Sequence, residues 1–258
     1  MDSLLLTMEL IRSLEEVDTI DAMAIVMAQV AARLGFRHFA LTHHVDLAAA
    51  SASAIHIHNY PQDWAEYYHA RALGVRDPVH RASQTTNLGF YWSRLSAMIP
   101  LTREDHAILA EGKKRGIGDG ITIPAHIPGE AHGSCSFANP PGRPMPDRLL
   151  LPVIQTIAGA AFARARQLRI ARGQIAGRVS PVLTRRQRDC LIWAARGKGD
   201  WEISRILGVS EETVAKHFRA ACERYGVNKR TLLVTRTLFD GTITLGEIFE
   251  RRHTPFPV

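Results

Sequence analysis

Three aromatic residues that can also form hydrogen bonds stand four positions apart, at Tyr60, Trp64 and Tyr68. This spacing predicts that they share one face at the start of a helix. An indole only donates hydrogen bonds, a carboxylate such as that of Asp77 only accepts them, and a phenol can do either. Such a set suits a small molecule that carries carbonyl and N–H groups. Taken alone, an aromatic stripe is more typical of core packing, and an aspartate before a proline, here Pro78, is more typical of a turn.

Four histidines fall close together in the sequence, at His43, His44, His56 and His58. His56 and His58 would face the same way on a strand, as a pair of metal ligands could. No cysteine or carboxylate completes a ligand set at a familiar spacing. We therefore interpret the four as solvated histidines at a strand edge, and we predict neither a metal nor a cofactor.

A hydrolytic enzyme is disfavoured by the same kind of reasoning. A serine hydrolase of the α/β class carries its nucleophile on a GxSxG turn, and Ser136, in GSCSFA, lacks that pattern. The chain also lacks a metal-binding run of the HxHxDH kind. We predict that the protein is not an enzyme.

The three cysteines, Cys135, Cys190 and Cys222, form no CxxC pair, which favours free thiols in a reducing cytoplasm. The first residues, MDSLLLTMELIRSLEE, carry acids among the leucines and do not resemble a signal peptide. No run approaches the roughly 18 apolar residues of a membrane span. We expect a cytoplasmic protein.

The excess of positive over negative charge lies entirely at one end of the chain. Residues 171–258 contain 16 Lys and Arg against 9 Asp and Glu, which accounts for the whole net charge of +7. A basic surface attracts phosphate backbones, although it also attracts other polyanions. Nucleic acid is therefore a favoured partner of the C-terminal part.

The same C-terminal part contains the signals that start and end three short helices. In order, these signals are Thr184 with Gln187, Gly197, Asp200, Gly208, Ser210 and Gly226. Thr184 and Gln187 have the spacing of a reciprocal capping pair. Asp200 is predicted to cap the second helix, 201–207, and Ser210 the third. A short helix, a tight turn and a further helix indicate a helix-turn-helix.

The third of these helices has one apolar and one polar face. Its apolar residues recur at helical spacing and predict a buried stripe: Val214, Phe218, Ala221 and Tyr225. Thr213, Lys216 and Arg219 are predicted to face outward.

The N-terminal part alternates between helical and strand patterns. Apolar spacing between Leu4 and Phe36, interrupted near Val17 to Ile20, predicts two helices. Strands are predicted at 37–44, 54–60, near 90, 120–125 and 133–138, and helices at 63–73, 102–114 and 146–170. Helices around a short antiparallel sheet indicate an α+β fold, an α-β-α sandwich. Residues 171–182 have the Gly-, Arg- and Pro-rich composition of a linker, so the predicted domains are 1–170, which binds the ligand, and 183–258, an all-α helix-turn-helix domain.

Two sets of motifs resemble one protein family. The pattern LT-x-R-x-x-x-x-L, followed by AARGKGDWEISRILGVSEETV, is similar to the helix-turn-helix of LuxR-type regulators. In order and spacing, NYPQDWAEYY, RDPVH, the Trp of FYW, GIGDGITIPAH and GSCSFA resemble the autoinducer-binding domain of acyl-homoserine-lactone receptors. The helix-turn-helix also follows phosphorylated receiver domains in other proteins, so the N-terminal motifs narrow the resemblance to LuxR-type quorum-sensing transcriptional regulators.

The resemblance implies a ligand-binding set of six residues: Tyr60, Trp64, Tyr68, Asp77, Trp92 and Ser136. In this set the indole N–H of Trp64 meets the lactone carbonyl and the carboxylate of Asp77 meets the amide N–H. Tyr60 and Ser136 meet the acyl carbonyl, and the two remaining aromatic side chains pack on the ligand. Gly120 is predicted to be a position of close backbone approach.

The resemblance also suggests which residues contact DNA. Lys216 and Arg219 are the predicted base readers, together with the outward Thr213, because Ala215 has no polar group where relatives are often basic. Arginine can bind guanine through two hydrogen bonds. The residues predicted to contact phosphates are Arg185, Arg186, Lys198, Lys229 and Arg230.

The partners implied by the resemblance are palindromic double-stranded DNA, a second copy in a homodimer, a small-molecule autoinducer and RNA polymerase, with no membrane.

Two positions depart from the family pattern: Leu73, where many relatives have tyrosine, and Ala65, where some have a larger polar residue. One alternative therefore stays open, a regulator that responds to an aryl or plant-derived signal or acts without a ligand. A phosphorelay response regulator is disfavoured because no acidic receiver cluster is evident.

Overall fold

A computed structural model of the chain describes residues 3–45, 54–171 and 181–249. The chain forms two compact units, Met1–Ile127 with Ala131–Gly177 and Pro128–Glu130 with Arg178–Val258. The predicted linker, 171–182, lies for the most part outside the described residues, so its role stays a prediction. Within the described ranges, no helix has both the length and the apolar composition that crossing a bilayer requires.

A five-stranded antiparallel sheet lies at the centre of the described part of the first unit. Its strands are β1 His38–His43, β2 His56–His58, β3 Phe90–Tyr91, β4 Gly120–Ala125 and β5 Gly133–Ala138. Their order is β2-β1-β5-β4-β3, which leaves β2 and β3 at the edges. Ala40 of β1 lies opposite His58 on one side and Ser136 on the other. The sheet and the helices around it confirm the predicted fold class.

The described helices of the first unit are α1 Ser3–Glu15, α2 Ile20–Arg33, α3 Gln62–Ala70, α4 Pro78–Ser83, α5 Leu95–Met98, α6 Arg103–Lys114 and α7 Leu151–Ala171. The predicted break between the first two is confirmed: the Thr19 hydroxyl accepts the backbone N–H of Ala22 at 3.1 Å and caps α2.

Two predicted helix boundaries are wrong. The last helix was expected from Pro146, but α7 begins at Leu151 because Asp147 caps a separate 3-10 turn ahead of it. The helix expected over 63–73 ends at Ala70 because Ala72 adopts a left-handed backbone with φ of 49°.

The two faces of the sheet differ in chemistry because successive side chains of a strand point to opposite sides. One face is apolar and packs on α1, α2 and α7, with Phe39, Leu41 and Phe137 fully buried. The other face presents small and polar side chains, among them Thr42 and Ser136. A cavity lies on this second face.

The second unit is helical in its described residues. Its helices are α8 Arg185–Ala195, α9 Asp200–Leu207, α10 Glu211–Tyr225, α11 Arg230–Phe239 and α12 Leu245–Phe249. The predicted apolar stripe of α10 is confirmed, since its four members are buried in one core with Cys190, Leu191 and Ile203. The glycines expected to end α9 and α10, Gly208 and Gly226, adopt the left-handed backbone that favours glycine, with φ of 67° and 59°.

The capping pair at the start of α8 is confirmed. The Thr184 hydroxyl accepts the N–H of Gln187 at 3.3 Å, and the Gln187 side chain accepts the N–H of Thr184 at 2.9 Å. The predicted cap of the next helix is wrong. Gly199 is the cap of α9, and Glu202 accepts its N–H at 3.0 Å. Asp200 is the first helical residue, and its carboxylate accepts from the guanidinium of Arg230 at 2.5 Å instead.

Candidate functional site

A cavity of about 810 Å³, including the mouth that opens to solvent, lies between the polar face of the sheet and helices α3, α4 and α6. All six predicted ligand-binding residues line it: Tyr60, Trp64, Tyr68, Asp77, Trp92 and Ser136. The fold therefore brings together in one cavity residues that are spread over 77 positions of the chain. A mostly apolar cavity with a few converging polar groups is the usual form of a small-molecule site.

Asp77 caps a helix and also forms part of the cavity wall. Its Oδ1 accepts the backbone N–H of Val79 at 2.8 Å and caps α4, and its Oδ2 accepts the phenol of Tyr68 at 3.0 Å. The turn role that the sequence favours for Asp77 and its position in the cavity wall are thus both present. A carboxylate has about four acceptor positions, so it can still accept a further N–H.

Trp92 and Ser136 are joined by a residue that the sequence analysis did not single out. The indole N–H of Trp92 donates to the Thr122 hydroxyl at 2.8 Å, and Thr122 shares a hydrogen bond of 2.8 Å with the Ser136 hydroxyl. Thr122 is fully buried. A signal was present in the sequence, because Thr122 lies two residues after Gly120 and therefore on the same face of β4.

Gly120 is required by the indole of Trp92. A Cβ at this position would stand 2.9 Å from the Trp92 ring and 2.7 Å from the backbone oxygen of Phe137. The close approach predicted for this glycine is confirmed. Any larger residue here would have to displace Trp92 or the backbone of β5.

Trp64 lies against the aromatic side of the cavity. It is buried, and its ring packs at 5.6 Å from the ring of Tyr68. None of the described residues accepts a hydrogen bond from its indole N–H. Burial, followed by the charge of Asp77, raises the pKa of both Tyr60 and Tyr68, so both phenols keep their protons at neutral pH.

The helix-turn-helix exposes some of the Lys and Arg side chains that are predicted to contact DNA. Lys216 and Arg219 are exposed on α10, and they take part in none of the ion pairs among the described residues. Thr213 is half-buried, and its hydroxyl shares a hydrogen bond of 2.9 Å with the Ser210 hydroxyl at the helix cap. Exposed cations without a protein partner are available to a nucleic acid.

The residues predicted to contact phosphates fall into two groups. Arg185, Arg186 and Lys229 are exposed. Lys198 pairs with Glu202 at 2.6 Å. Arg230 pairs with Asp200, and its guanidinium lies 3.6 Å from the ring centre of Phe218.

Known protein families account for both units. Residues 19–165 match the autoinducer binding domain family, and residues 181–237 match the luxR family of bacterial regulatory proteins. The first match alone covers more than half of the chain. The chain belongs to the LuxR family of autoinducer-binding regulators. Members of this family are transcriptional regulators and not enzymes, and they bind an autoinducer rather than a cofactor.

Relatives of this LuxR-type regulator are similar over most of their length. The transcriptional activator protein LuxR of Aliivibrio fischeri is 28% identical over 188 residues, which are 72% of this chain and 73% of that protein. The quorum sensing-dependent regulator RpaR of Rhodopseudomonas palustris is 30% identical over 190 residues, 72% of this chain and 74% of that protein. The structure of Escherichia coli SdiA has the same fold, with a TM-score of 0.64 and 20% identity over 95% of this chain and 98% of that one.

The two departures from the family pattern occupy different places in this LuxR-type regulator. Ala65 lines the cavity and leaves room there. Leu73 does not line it: its side chain is buried in the small apolar cluster that contains Trp64 and Ile108. Of the two, only Ala65 is therefore in a position to touch a ligand directly.

The histidines are more varied than the sequence predicted. His56 is exposed and His58 half-buried on the edge strand β2, as expected. His43 is only 4% exposed, so its prediction as a solvated residue is wrong. It is buried because β1 lies inside the sheet, between β2 and β5, and the ring of Phe162 packs against it. His44, also expected to be solvated, stacks on the ring of His80 at 3.8 Å, a contact that no local pattern signals. Among the described residues, no group of three or more His, Cys, Asp and Glu side chains could hold a metal ion.

His43 makes the stability of the LuxR-type regulator depend on pH. Burial, followed by the charges of Arg169 and Arg166, lowers the pKa of His43 to about 4. The unfolded chain, with an ordinary histidine pKa near 6.5, binds the proton first as the pH falls. The contribution of neutral His43 to the free energy of unfolding is therefore fully present above about pH 6.5 and is lost progressively between about pH 6.5 and 4. We expect His43 to contribute a loss on the order of 1 to 2 kcal/mol in the free energy of unfolding between pH 6.5 and 5.

Thermal unfolding of the wild type and of His43→Asn across this pH range tests the expectation. Asparagine retains an acceptor for the N–H of Ile55, which the Nδ1 of His43 accepts at 3.1 Å, but it does not titrate. The wild type should lose more stability than the variant on acidification. Parallel curves would show that His43 is not responsible.

Proposed function

We propose that this LuxR-type regulator binds an N-acyl-homoserine lactone in the cavity and, as a homodimer in the cytoplasm, binds a palindromic site in double-stranded DNA. One observation carries the ligand proposal: Trp64 and Asp77 line the same cavity. The indole N–H of Trp64 has no acceptor among the described residues, and the carboxylate of Asp77 can still accept a hydrogen bond. The lactone offers the complementary groups, a ring carbonyl and an amide N–H.

Each polar group of the lactone then has a partner. Trp64 donates to the ring carbonyl, Asp77 accepts the amide N–H, and Tyr60 with Ser136 meets the acyl carbonyl. Both hydroxyl groups are protonated donors at neutral pH, since burial raises the pKa of Tyr60 and a serine does not titrate in this range. Each buried hydrogen bond is worth about 1 to 3 kcal/mol to the complex when its loss would leave the partner group unsatisfied.

The Lys and Arg residues predicted to bind DNA differ in the contacts that they make within the protein. We propose that Lys216 and Arg219 read bases beside Thr213, and that Arg185, Arg186 and Lys229 contact phosphates. Lys198 can join them only by exchanging Glu202 for a phosphate. Arg230 is proposed to act inside the domain, holding α9 to α10 and α11 through Asp200 and Phe218. An interaction with RNA polymerase belongs to the same proposal.

The ligand can change DNA binding only by the difference in its affinity for the states that do and do not bind DNA. We propose that burial of the lactone stabilises the first unit, and that residues 171–182 carry the consequence, as a linker, to the helix-turn-helix domain at 183–258. Two-fold symmetry of the dimer would match a palindromic site.

A thermal-shift measurement on the full chain with a panel of acyl-homoserine lactones tests this function. A ligand at 100 times its dissociation constant stabilises the folded state by about 2.7 kcal/mol. For a unit of this size we expect the melting temperature to rise by roughly 5 to 10 °C. The hydrolysed, ring-opened form of the same compound is the control and should give a much smaller shift. If no lactone shifts the transition, the proposed ligand class is wrong.

A further inference from the structure

The cavity has a polar patch that the proposed lactone contacts do not use. It consists of His56 and His58 on the edge strand β2 and of Thr42 on β1, all of which line the cavity. The rings of His56 and His58 are 4.7 Å apart. An acyl chain that runs along this wall would lie against imidazoles rather than against an apolar surface.

The hydrogen bonds of His58 determine which of its nitrogens carries the proton. Its Nδ1 accepts the backbone N–H of Tyr60 at 3.3 Å. Burial lowers the pKa of His58, so the ring is neutral at pH 7. In a neutral ring with Nδ1 as acceptor, the proton is on Nε2. His58 therefore presents an N–H donor, for which the described residues supply no acceptor.

His56 has the opposite tautomer. We assign the one hydroxyl proton of Thr42 to its nearer acceptor, the backbone oxygen of His43 at 3.1 Å. Toward the Nδ1 of His56, 3.4 Å away, Thr42 can then only accept. The ring proton of His56 is thus on Nδ1, and its Nε2 presents a lone pair. The patch consists of one donor beside one acceptor.

We propose that the acyl chain of the ligand carries a hydroxyl group, which accepts from Nε2 of His58 and donates to Nε2 of His56. A hydroxyl is both donor and acceptor, whereas a keto oxygen only accepts and a methylene does neither. The inference rests on the proposed function, because it takes the lactone head group to be bound as described above. It adds His56 and His58 as the residues that select the oxidation state of the chain.

The position of the hydroxyl follows from the neighbour of His58. The ring of Tyr60, the proposed partner of the acyl carbonyl, stacks on that of His58 with centroids 5.8 Å apart. A substituent on the third carbon of an acyl chain lies within about that distance of the carbonyl oxygen. The ligand assigned to this cavity is therefore an N-(3-hydroxyacyl)-homoserine lactone.

The test compares three lactones of equal chain length whose third carbon carries a hydroxyl, a keto oxygen or only hydrogens. Dissociation constants are measured by titration calorimetry on the full chain at pH 7.5. One hydrogen bond gained in a partly open site is worth up to about tenfold in affinity. We expect the hydroxyl compound to bind about tenfold more tightly than the unsubstituted one and about threefold more tightly than the keto compound.

Variants then assign the preference to the patch. His58→Phe should remove the preference for hydroxyl over hydrogen, measured as the ratio of the two dissociation constants within the variant, so that a general loss of affinity does not affect the result. His58→Gln retains an N–H donor and should keep most of the preference, which also covers the case in which the phenylalanine variant fails to fold. His106→Gln, an exposed residue of α6 outside the cavity, is the matched control and should change nothing.

The possible results distinguish a failure of the proposed function from a failure of the 3-hydroxyacyl assignment. If none of the three lactones binds, the proposed function itself fails. If all three bind equally, if the keto or the unsubstituted compound binds best, or if the hydroxyl preference survives in His58→Phe, the function stands and the assignment of a 3-hydroxyacyl chain is overturned.

Discussion

Replacing Asp77 with asparagine is expected to raise the lactone concentration needed for half-maximal response by about 10- to 100-fold. The carboxylate would accept the amide N–H of the ligand, and a charge-assisted hydrogen bond of this kind is worth about 1.5 to 3 kcal/mol. In the variant, the asparagine oxygen can still accept the N–H of Val79 and cap α4. Its amide group then faces the ligand N–H as a second donor, so the bond is lost and replaced by a repulsive contact.

The same substitution should leave the unliganded protein nearly as stable as before, because asparagine is as good a helix cap as aspartate. The measurement pairs a ligand titration with a thermal unfolding curve for each protein. Asp63→Asn is the matched control: it removes the same charge next to Trp64, but Asp63 is exposed and lies outside the cavity. A normal dose response in Asp77→Asn would reduce Asp77 to a structural cap.

Replacing Arg219 with alanine is expected to weaken binding to the preferred DNA sequence by about 10- to 100-fold, with a much smaller effect on unrelated DNA. A bidentate contact to guanine is worth about 1 to 3 kcal/mol of discrimination between bases. Arg219 is exposed on α10 and takes part in none of the ion pairs among the described residues. The preferred sequence can be selected from a random library with the liganded full chain before affinities are measured.

Lys229→Ala provides the comparison for Arg219→Ala. Lys229 is exposed at the start of α11 and is proposed to contact a phosphate. Its loss should weaken all DNA to a similar degree and reduce the slope of log affinity against log salt by about 1. If Arg219→Ala also weakens all sequences equally and retains the sequence preference, Arg219 is a phosphate contact and the base reader lies elsewhere on α10.

The helix-turn-helix was predictable from the sequence almost residue by residue, because its signals are local. The two members of a capping pair such as Thr184 and Gln187 lie only three positions apart, and a terminating glycine such as Gly226 depends only on its own backbone angles. The exception is Asp200, which local preference assigns to a cap. Arg230, 30 residues later, binds its carboxylate and leaves Glu202 to satisfy the start of α9.

The cavity residues were predictable as a set, through a resemblance of motifs, but not as a geometry. The order of Tyr60, Trp64, Asp77, Trp92 and Ser136 pointed to a small-molecule site without saying how they connect. Spacing along the chain places Thr122 on the same face of β4 as Gly120, but it does not show that Thr122 links Trp92 to Ser136 through hydrogen bonds. Nor does it say that Asp77 caps a helix with one oxygen and faces the cavity with the other.

The sequence by itself was enough to identify the family and to predict the two-part organisation and the groups that we propose bind a lactone and DNA, because composition, periodicity and motif order can be read along the chain. Only the tertiary structure decided which of the predicted cations take part in ion pairs, which histidines are buried, and that His56 and His58 line the cavity side by side. Those outcomes depend on hydrogen bonds and ion pairs between residues far apart in the chain, and such contacts exist only once the strands and helices have packed.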